Sequence, residues 1–261
     1  MVARPAFRAW IHGDLVIYTL LMRINRYISQ SGSLSRRAAD AAIESGRVTI
    51  NGRRAVLGDT LDPEVDRVCI DGLAVRTGRK WYLALNKPRF VVTTLSDPEG
   101  RPCIRALIPK KYQGVFPAGR LDFDAEGLLI LTNDGDMANA IHHPSYGVPK
   151  EYIVRLTPVA SREALEQMAH GVVLDGRKTR PAEVERIRDD TGGTWVRIVL
   201  KQGLKNQIKR MAASVGLTVA SLKRVAVGPV RLKDLRPGQI RELSASERKL
   251  LDKMLKKPKV T

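Results

Sequence analysis

Residues 119–136, GRLDFDAEGLLILTNDGD, place carboxylates on both sides of an apolar run in a chain that is otherwise strongly basic. Carboxylates at this spacing can bind a calcium ion, form a turn, or present one group to a substrate. The calcium loop D-x-D-x-[DN]-G needs a bidentate Glu at its twelfth position, where counting from Asp122 gives Asn133. We therefore reject calcium and assign Asp134 and Asp136 to a turn that follows a buried strand.

Asp122 differs from the other carboxylates because it follows Arg120-Leu121 directly and precedes the loop that enters the apolar run. A carboxylate in such a place can be partly removed from water while nearby cations keep it ionised. It can then attack an electrophilic carbon or take a proton. From the residues alone, a loop cap or a salt-bridge partner is an equal alternative. We expect Asp124 and Glu126 to be solvated loop residues.

The composition indicates a polyanionic partner. The 261 residues include 45 Lys+Arg and 27 Asp+Glu, which gives a net charge of +18 and a pI near 10.3. The basic residues are spread along the whole chain, which favours RNA or DNA, with an anionic membrane surface second and simple solubility as the plain alternative. With 43% hydrophobic residues the chain can also bury a core.

Metal, redox and membrane classes receive little support. Cys69 and Cys103 are far apart and outside any C-x-x-C pattern, which fits a reducing cytoplasm. The adjacent His142 and His143 point in different directions on a helix or a strand, so we interpret them as a loop pair before Pro144. The apolar run 16–22 is too short to span a bilayer and lacks a signal-peptide cleavage site. No phosphate-binding glycine motif is present.

The N-terminal third predicts a small helical and β-rich unit. Periodicity predicts a helix over 23–31 and a second helix that starts after Ser35 and ends at Gly46. The dipeptide Asn51-Gly52 then indicates a hairpin. We expect residues 1–21 to be a poorly structured extension, residues 22–75 to form this unit, and the basic stretch 76–80 to be a linker.

The remainder predicts a second, larger domain over 81–250. The last residues, 249–261, predict a fraying helix and a basic tail, and we assign the tail to 251–261. Strands and helices mix without βαβ alternation or repeats, so we predict the α+β class, with helices flanking a mixed, mostly antiparallel β-sheet. The expected strands lie near 81–88, 90–97, 127–133, 151–157 and 194–200, and the expected helices near 161–170 and 205–215.

The stretch SRRAADAAIESGRVTINGRRA resembles the S4 RNA-binding module, an αL-type fold, and the resemblance covers about residues 22–75. The module presents arginines on short helices to phosphates of folded RNA. The bland alternative is that these side chains are only the solvated face of the helices. The resemblance implies RNA contacts for Arg23, Arg26, Arg36, Arg37 and Arg47.

The second domain resembles RNA pseudouridine synthases, in the ribosomal family that carries an N-terminal S4 module. The supporting motifs occur in family order: LNKP (85–88), DPEGRP (97–102), GRLD (119–122), KEYIVRL (150–156) and QGLKNQIKRM (202–211). The resemblance covers roughly residues 22–250 and is nearest to the branch that modifies the large ribosomal subunit. It implies a monomeric bacterial cytoplasmic enzyme that converts one uridine of 23S ribosomal RNA to pseudouridine without a cofactor or metal.

The same resemblance implies roles for individual residues. Asp122 matches the catalytic aspartate, and Tyr152 matches a tyrosine that stacks on the flipped base and relays the proton from C5. Lys209 matches the basic residue that pairs with the aspartate, and Ile208 matches an apolar residue beside the base. Arg120 matches a position near the catalytic turn, with a role in backbone contact or site organisation.

One residue departs from the family pattern. Three residues after the aspartate the family usually has Thr, Ser or Cys, whereas this chain has Ala125. The missing polar group would brace the catalytic turn through a hydrogen bond worth about 0.5–1.5 kcal/mol. Its loss puts the bracing in doubt and leaves the chemistry intact.

Two other functions compete with the enzyme. A ribosome assembly factor could retain the fold only to grip RNA, and an S4-bearing DNA regulator would leave the second domain unexplained. A non-catalytic relative would be free to lose Asp122, Tyr152 or Lys209. All three are present, which favours the enzyme. The choice between attack on C1′ and a glycal route stays open.

Overall fold

The computed structural model describes residues 7–12, 15–76 and 78–255, which fall into two compact units, Met1–Lys80 and Trp81–Thr261. The elements of the first unit are β1 (Phe7–His12), β2 (Leu15–Leu20), β3 (Met22–Arg23), α1 (Ile24–Gln30), α2 (Arg36–Glu44), β4 (Val48–Ile50), β5 (Arg53–Arg54), β6 (Thr60–Leu61), β7 (Val68–Ile70) and β8 (Leu73–Val75).

The first unit follows the local sequence signals from α1 to β8. Ser35 caps α2 by accepting a hydrogen bond from the Ala38 amide at 3.2 Å. Asn51 and Gly52 both have positive φ, at 51° and 84°, and join β4 to β5 as a tight hairpin turn requires. The two helices share a small core with the strands, built from Ile24, Ile28, Ala39, Ile43, Val48, Leu61 and Val68.

The expectation of a poorly structured extension over 1–21 is wrong for 7–12 and 15–20. These residues form an antiparallel hairpin in which Phe7 pairs with Leu20 and His12 with Leu15. Aromatic and β-branched residues recur in both segments, and such residues favour extended pairing. Residues 1–6, 13 and 14 of the expected extension lie outside the described residues.

The second unit contains the remaining elements: β9 (Tyr82–Lys87), β10 (Phe116–Pro117), β11 (Glu126–Thr132), α3 (Gly135–His142), β12 (Lys150–Thr157), α4 (Arg162–His170), β13 (Val173–Leu174), β14 (Arg177–Lys178), β15 (Glu183–Asp190), β16 (Gly193–Leu200), α5 (Gln207–Ser214), β17 (Thr218–Val227), β18 (Val230–Arg231), β19 (Ile240–Glu242) and α6 (Ala245–Leu255). Short 3₁₀ turns cover Ile104–Leu107 and Pro144–Tyr146.

A nine-stranded sheet organises the second unit, and β13 and β14 pair separately as a two-stranded sheet. The strand order of the larger sheet is β15-β16-β12-β17-β11-β9-β19, with β10 added to β11 and β18 to β17. Neighbouring strands run antiparallel except β11 and β17, which are parallel. The predicted α+β class with a mixed, mostly antiparallel sheet is confirmed.

Apolar residues are buried on both faces of this sheet. One core contains Leu85, Leu129 and Leu131 and is covered by residues of α4 and α5, while the other contains Leu128 and Ile130 and is covered by residues of α3 and α6. Burial on both faces explains why β11 is a continuous apolar run instead of an alternating one. The same arrangement holds the end of β11 next to the GRLD turn.

The strand expected over 90–97 does not form. Val92 makes only an isolated bridge to Cys103, and Phe90 adopts a left-handed φ of 63°. The reason lies in Lys87, whose buried ammonium donates to the carbonyls of Pro88 and Val91, both at 2.8 Å. These bonds turn the chain directly after β9.

Two further boundaries are corrected by capping and burial. The turn expected over 133–136 begins helix α3, because the Asp134 carboxylate caps it by accepting from the Asp136 and Met137 amides. The tail expected over 251–261 is helical up to Leu255, and Leu251 is fully buried. Residues 256–261 lie outside the described residues. In the described ranges, every helix is too short or too polar to span a bilayer.

Candidate active site

A cleft of 270 Å³ opens beside the GRLD turn in the second unit. Its lining brings together all five residues that the sequence assigned to the catalytic domain's site: Arg120, Asp122, Tyr152, Ile208 and Lys209. These residues come from the turn before β11, from β12 and from α5, so the tertiary fold assembles what the chain separates.

A backbone hydrogen bond closes the loop that follows the GRLD turn. The Ala125 amide donates to the Asp122 carbonyl at 3.2 Å, which places Phe123 and Asp124 at the tip. Ala125 is fully buried beneath it. In place of the polar group that is missing at Ala125, the hydroxyl of Thr93 braces the other end of the turn. It donates to the Leu121 carbonyl at 2.7 Å and accepts from the Leu121 amide at 3.2 Å.

Arg224 ties this turn to the sheet. The residue is only 3% exposed, its Nε donates to the Leu128 carbonyl at 2.6 Å, and its Nη1 donates to the Arg120 carbonyl at 3.2 Å. Gly127 permits this close approach, because a Cβ there would lie 2.2 Å from the Arg224 carbonyl oxygen. Arg224 therefore fixes the backbone on both sides of Asp122.

Asn206 contacts the Asp122 carboxylate. It lies at the N-terminus of α5 in the left-handed conformation, with φ 51°. When its amide nitrogen faces the carboxylate, the nitrogen lies 3.0 Å from each Asp122 oxygen and satisfies both groups. A neutral donor thus holds the carboxylate, which itself is half-buried in the cleft wall.

Lys209 does not pair with Asp122 as expected. Its Nζ lies 2.5 and 2.7 Å from the two carboxylate oxygens of Asp124. The expectation that Asp124 is merely a solvated loop residue is corrected by the same contact. Burial acts to raise the pKa of Asp124, but the hydrogen bond and charge of Lys209 hold that pKa below its ordinary value. Lys209 reaches the tip of the turn, and Asn206 reaches Asp122.

The buried Lys87 and the half-buried Lys150 add positive charge near the cleft. Burial lowers the pKa of Lys87 to about 8, partly opposed by the charges of Asp122 and Asp124. Lys150 lines the cleft and donates to the carbonyls of Ile141 and Val148 at 3.1 and 3.3 Å. Burial lowers its pKa to about 8 as well.

The apolar wall of the cleft is formed by Tyr152 and Ile208. Tyr152 lies on β12 opposite Arg224 of β17, is half-buried, and packs against the core while lining the cleft. Ile208 is almost fully buried on α5 together with Met211. Leu204 precedes α5, which begins at Gln207, and is 47% exposed.

The arginines of the first unit differ in their surroundings. Arg23, Arg36 and Arg37 are exposed, and Arg26 is partly buried. Arg47 is exposed but engaged with Asp71, to which its Nε donates at 2.9 Å. Its side chain would have to leave this carboxylate to meet a phosphate.

The sequence did not single out Thr93, Asn206, Arg224 or Lys87 as functional residues. Lys87 and Asn206 lie within the motifs LNKP and QGLKNQIKRM, so motif position was an available signal for those two. For Thr93 and Arg224 no local signal exists, because their hydrogen bonds join residues 28 to 104 positions apart.

The family comparisons match both units separately. Residues 81–214 match the RNA pseudouridylate synthase family, and residues 22–66 match the S4 domain. The chain belongs to the RNA pseudouridine synthases. The cleft lies within the matched region, apart from Leu222 and Arg224 in its lining.

Relatives extend the likeness over nearly the whole synthase. An uncharacterized RNA pseudouridine synthase of Aquifex aeolicus (strain VF5) is 41% identical over 87% of this chain and 92% of its own. The ribosomal large subunit pseudouridine synthase B of Bacillus subtilis (strain 168) is 32% identical over 88% and 95%. A crystal structure of a pseudouridylate synthase superposes with a TM-score of 0.64 at 31% identity, over 88% of this chain and 99% of that one.

Proposed function

We propose that this synthase isomerises one uridine of ribosomal RNA, in the 23S RNA of the large subunit, with Asp122 as the catalytic carboxylate. The observation that carries the proposal is the position of Asp122 in the cleft, held by Asn206 and facing the same space as Tyr152 and Ile208. The alternative of a purely RNA-gripping factor gives no reason for a carboxylate so placed in a basic chain.

The reaction requires the target base to leave its stack. Tyr152 offers a ring that can stack on the everted uracil, which contributes about 1–3 kcal/mol toward the cost of unstacking. Ile208 contacts the other side of the base and keeps water away. A cleft of 270 Å³ is large enough for a nucleoside portion but not for a duplex.

Asp122 acts on the sugar or on its C2′ proton, and either route fits a carboxylate at this place. The C1′–N1 bond breaks, the uracil turns, and a C1′–C5 bond forms. The proton then leaves C5 and N1 gains one, so no electrons are gained or lost overall. Tyr152 relays the C5 proton. Lys209 orders the turn through Asp124, and Arg120, exposed at the rim, contacts the RNA backbone.

The choice of ribosomal RNA rests on charge and likeness. The net charge of +18 and the exposed Arg23, Arg36 and Arg37 suit a folded polyanion. Arg26 and Arg47 complete the same proposed surface, Arg47 after release from Asp71. The Bacillus subtilis relative named for the large ribosomal subunit supports 23S RNA as the substrate. We propose that the synthase acts as a monomer in the bacterial cytoplasm.

The test uses precursor ribosomal RNA labelled with tritium at uridine C5. The native synthase should release tritium from 23S RNA, and Asp122→Asn should lower release by at least about 1,000-fold while RNA affinity changes little. Pseudouridine mapping in cells that lack the gene would then name the uridine. Tight RNA binding without tritium release by the native protein would contradict the proposal.

A further inference from the structure

Two exposed phenylalanines lie beside the catalytic turn. Phe90 is 55% exposed and Phe123 is 44% exposed, and their ring centroids are 5.6 Å apart in an edge-to-face arrangement. Phe123 directly follows Asp122 and lies at the tip of the turn. Neither ring belongs to the lining of the cleft or to the two cores of this unit.

The antiparallel pairing of β9 and β11 brings Phe90 and Phe123 together. Strands β9 and β11 are antiparallel with Lys87 opposite Gly127, so the turn after β9 lies beside the turn before β11. The Phe90 amide donates to the Phe123 carbonyl at 2.6 Å, and the Arg89 Nε donates to the Asp124 carbonyl at 3.1 Å. Two hydrogen bonds therefore join the turns and hold the rings at fixed positions.

Phe90 keeps this position against its own backbone preference. Its φ of 63° lies in the left-handed region, which a bulky residue rarely adopts and where glycine would be free of strain. Strained residues of this kind cluster at functional sites. An exposed ring held there at a conformational cost, with no core to fill, indicates a role for its surface.

The charge beside the rings indicates what the surface meets. The Arg89 guanidinium carbon lies 5.0 Å from the centroid of the Phe90 ring, so a cation and a π-face are presented together. Exposed aromatic rings flanked by arginine stack nucleobases while the cation meets the phosphate. Phe123 follows Asp122 directly in the chain, so this surface lies next to the carboxylate that faces the uridine in the cleft.

We propose that Phe90, Phe123 and Arg89 form a stacking platform for an unpaired base adjacent to the target uridine in the same RNA strand. The proposal rests on RNA as the substrate of the cleft. The platform captures the neighbouring nucleotide and so helps to hold the strand open while the uridine is everted.

The test measures the affinity of a short fluorescein-labelled oligouridylate for the full-length protein at several salt concentrations. Phe123→Ala and Phe123→Leu should each raise Kd at least about fivefold, whereas Phe123→Tyr, which keeps a π-face, should bind like the native protein. The slope of log Kd against log salt should not change, because no phosphate contact is removed. Leu250→Ala, at an exposed apolar side chain of α6, is the matched control and should have no effect.

Phe90→Gly separates binding from folding, because glycine relieves the backbone strain. Its urea midpoint should be at least that of the native protein while Kd rises about fivefold. The platform would be overturned if Kd rose less than about threefold in both Phe123→Ala and Phe90→Gly. Equal binding by Phe123→Leu and Phe123→Tyr would overturn it as well. Tritium release is measured separately, so the binding result can be interpreted even if the proposed reaction is not observed.

Discussion

The ammonium of Lys209 lies 2.5 Å from an oxygen of Asp124, two residues beyond the aspartate that faces the cleft. The pair joins α5 to the turn that carries Asp122, so the lysine positions the turn while Asn206 donates to the Asp122 carboxylate. An ion pair at a half-exposed site contributes little to stability on its own. Its value lies in fixing the loop that carries Asp122.

Lys209→Met should lower the single-turnover rate of tritium release about 100-fold, because a displacement of a reacting group by about 1 Å has an effect of that order. Asp124→Asn, which keeps one acceptor oxygen, should lower it about tenfold, and the double variant should be no slower than Lys209→Met because both act through one contact. A native rate for Asp124→Asn beside an inactive Lys209→Met would show that the lysine acts elsewhere.

Thr93→Val should destabilise the catalytic unit. The substitution keeps the shape but leaves the Leu121 amide and carbonyl without their buried partner, which costs about 1–3 kcal/mol in the free energy of unfolding. Urea denaturation gives this value, and the rate of tritium release should fall with it. Thr93→Ser retains the hydroxyl and should restore most of the rate. A valine variant as stable as the native protein would contradict the bracing role.

Arg224→Met should lower kcat more than it raises KM. The variant removes both donors that bind the carbonyls of Arg120 and Leu128, so the Asp122 backbone loses its restraint while the exposed basic side chains stay. A loss of about 1–3 kcal/mol in unfolding free energy is expected alongside. Arg224→Lys should recover part of the rate. An unchanged kcat with a raised KM would assign Arg224 to RNA binding instead.

Lys87 should make stability depend on alkaline pH. Its pKa is about 8 in the folded state against an ordinary value of 10.5, so the unfolded chain binds the proton more tightly. Between these two values the unfolded state holds more protons, and the free energy of unfolding must rise with pH. The rise from pH 8 to pH 10 is on the order of 2 kcal/mol for this group.

The measurement compares urea midpoints of the native protein and Lys87→Met at pH 8 and pH 10. The native protein should gain more stability than the variant over this interval, because the variant has no proton to lose at this site. Lys150→Met provides a second comparison with the same sign, since burial lowers the pKa of Lys150 to about 8 too. Equal gains in the native protein and both variants would contradict the assignment.

The parts of the fold that the sequence predicted are those that local pattern determines. The strands β11, β12 and β16 are long apolar or alternating runs. Ser35 is a preferred helix-capping residue, and Asn51-Gly52 is a preferred hairpin turn. The strand prediction for residues 90–97 was wrong because the β-branched residues of this segment favour a strand. Lys87 overrides that preference through bonds that no local pattern shows.

The site divides in the same way. Motif likeness located Asp122, Tyr152, Ile208, Lys209 and Arg120, and the fold brings them to one cleft. The partner of Lys209 was not predictable, because Asp122 and Asp124 lie on either side of Phe123 and only the geometry of the turn decides between them. Thr93 and Arg224 act through backbone amide and carbonyl groups, which carry no sequence signal.

The restraint that Arg224 places on Arg120 has a consequence during synthesis of the chain. Arg224 and Arg120, which a hydrogen bond joins, are 104 positions apart in the sequence. Arg224 therefore leaves the translating ribosome long after Asp122 has emerged. Contacts so distant along the chain form late. The restraint on the turn that carries Asp122 is therefore completed only after β17 has emerged and docked in parallel beside β11.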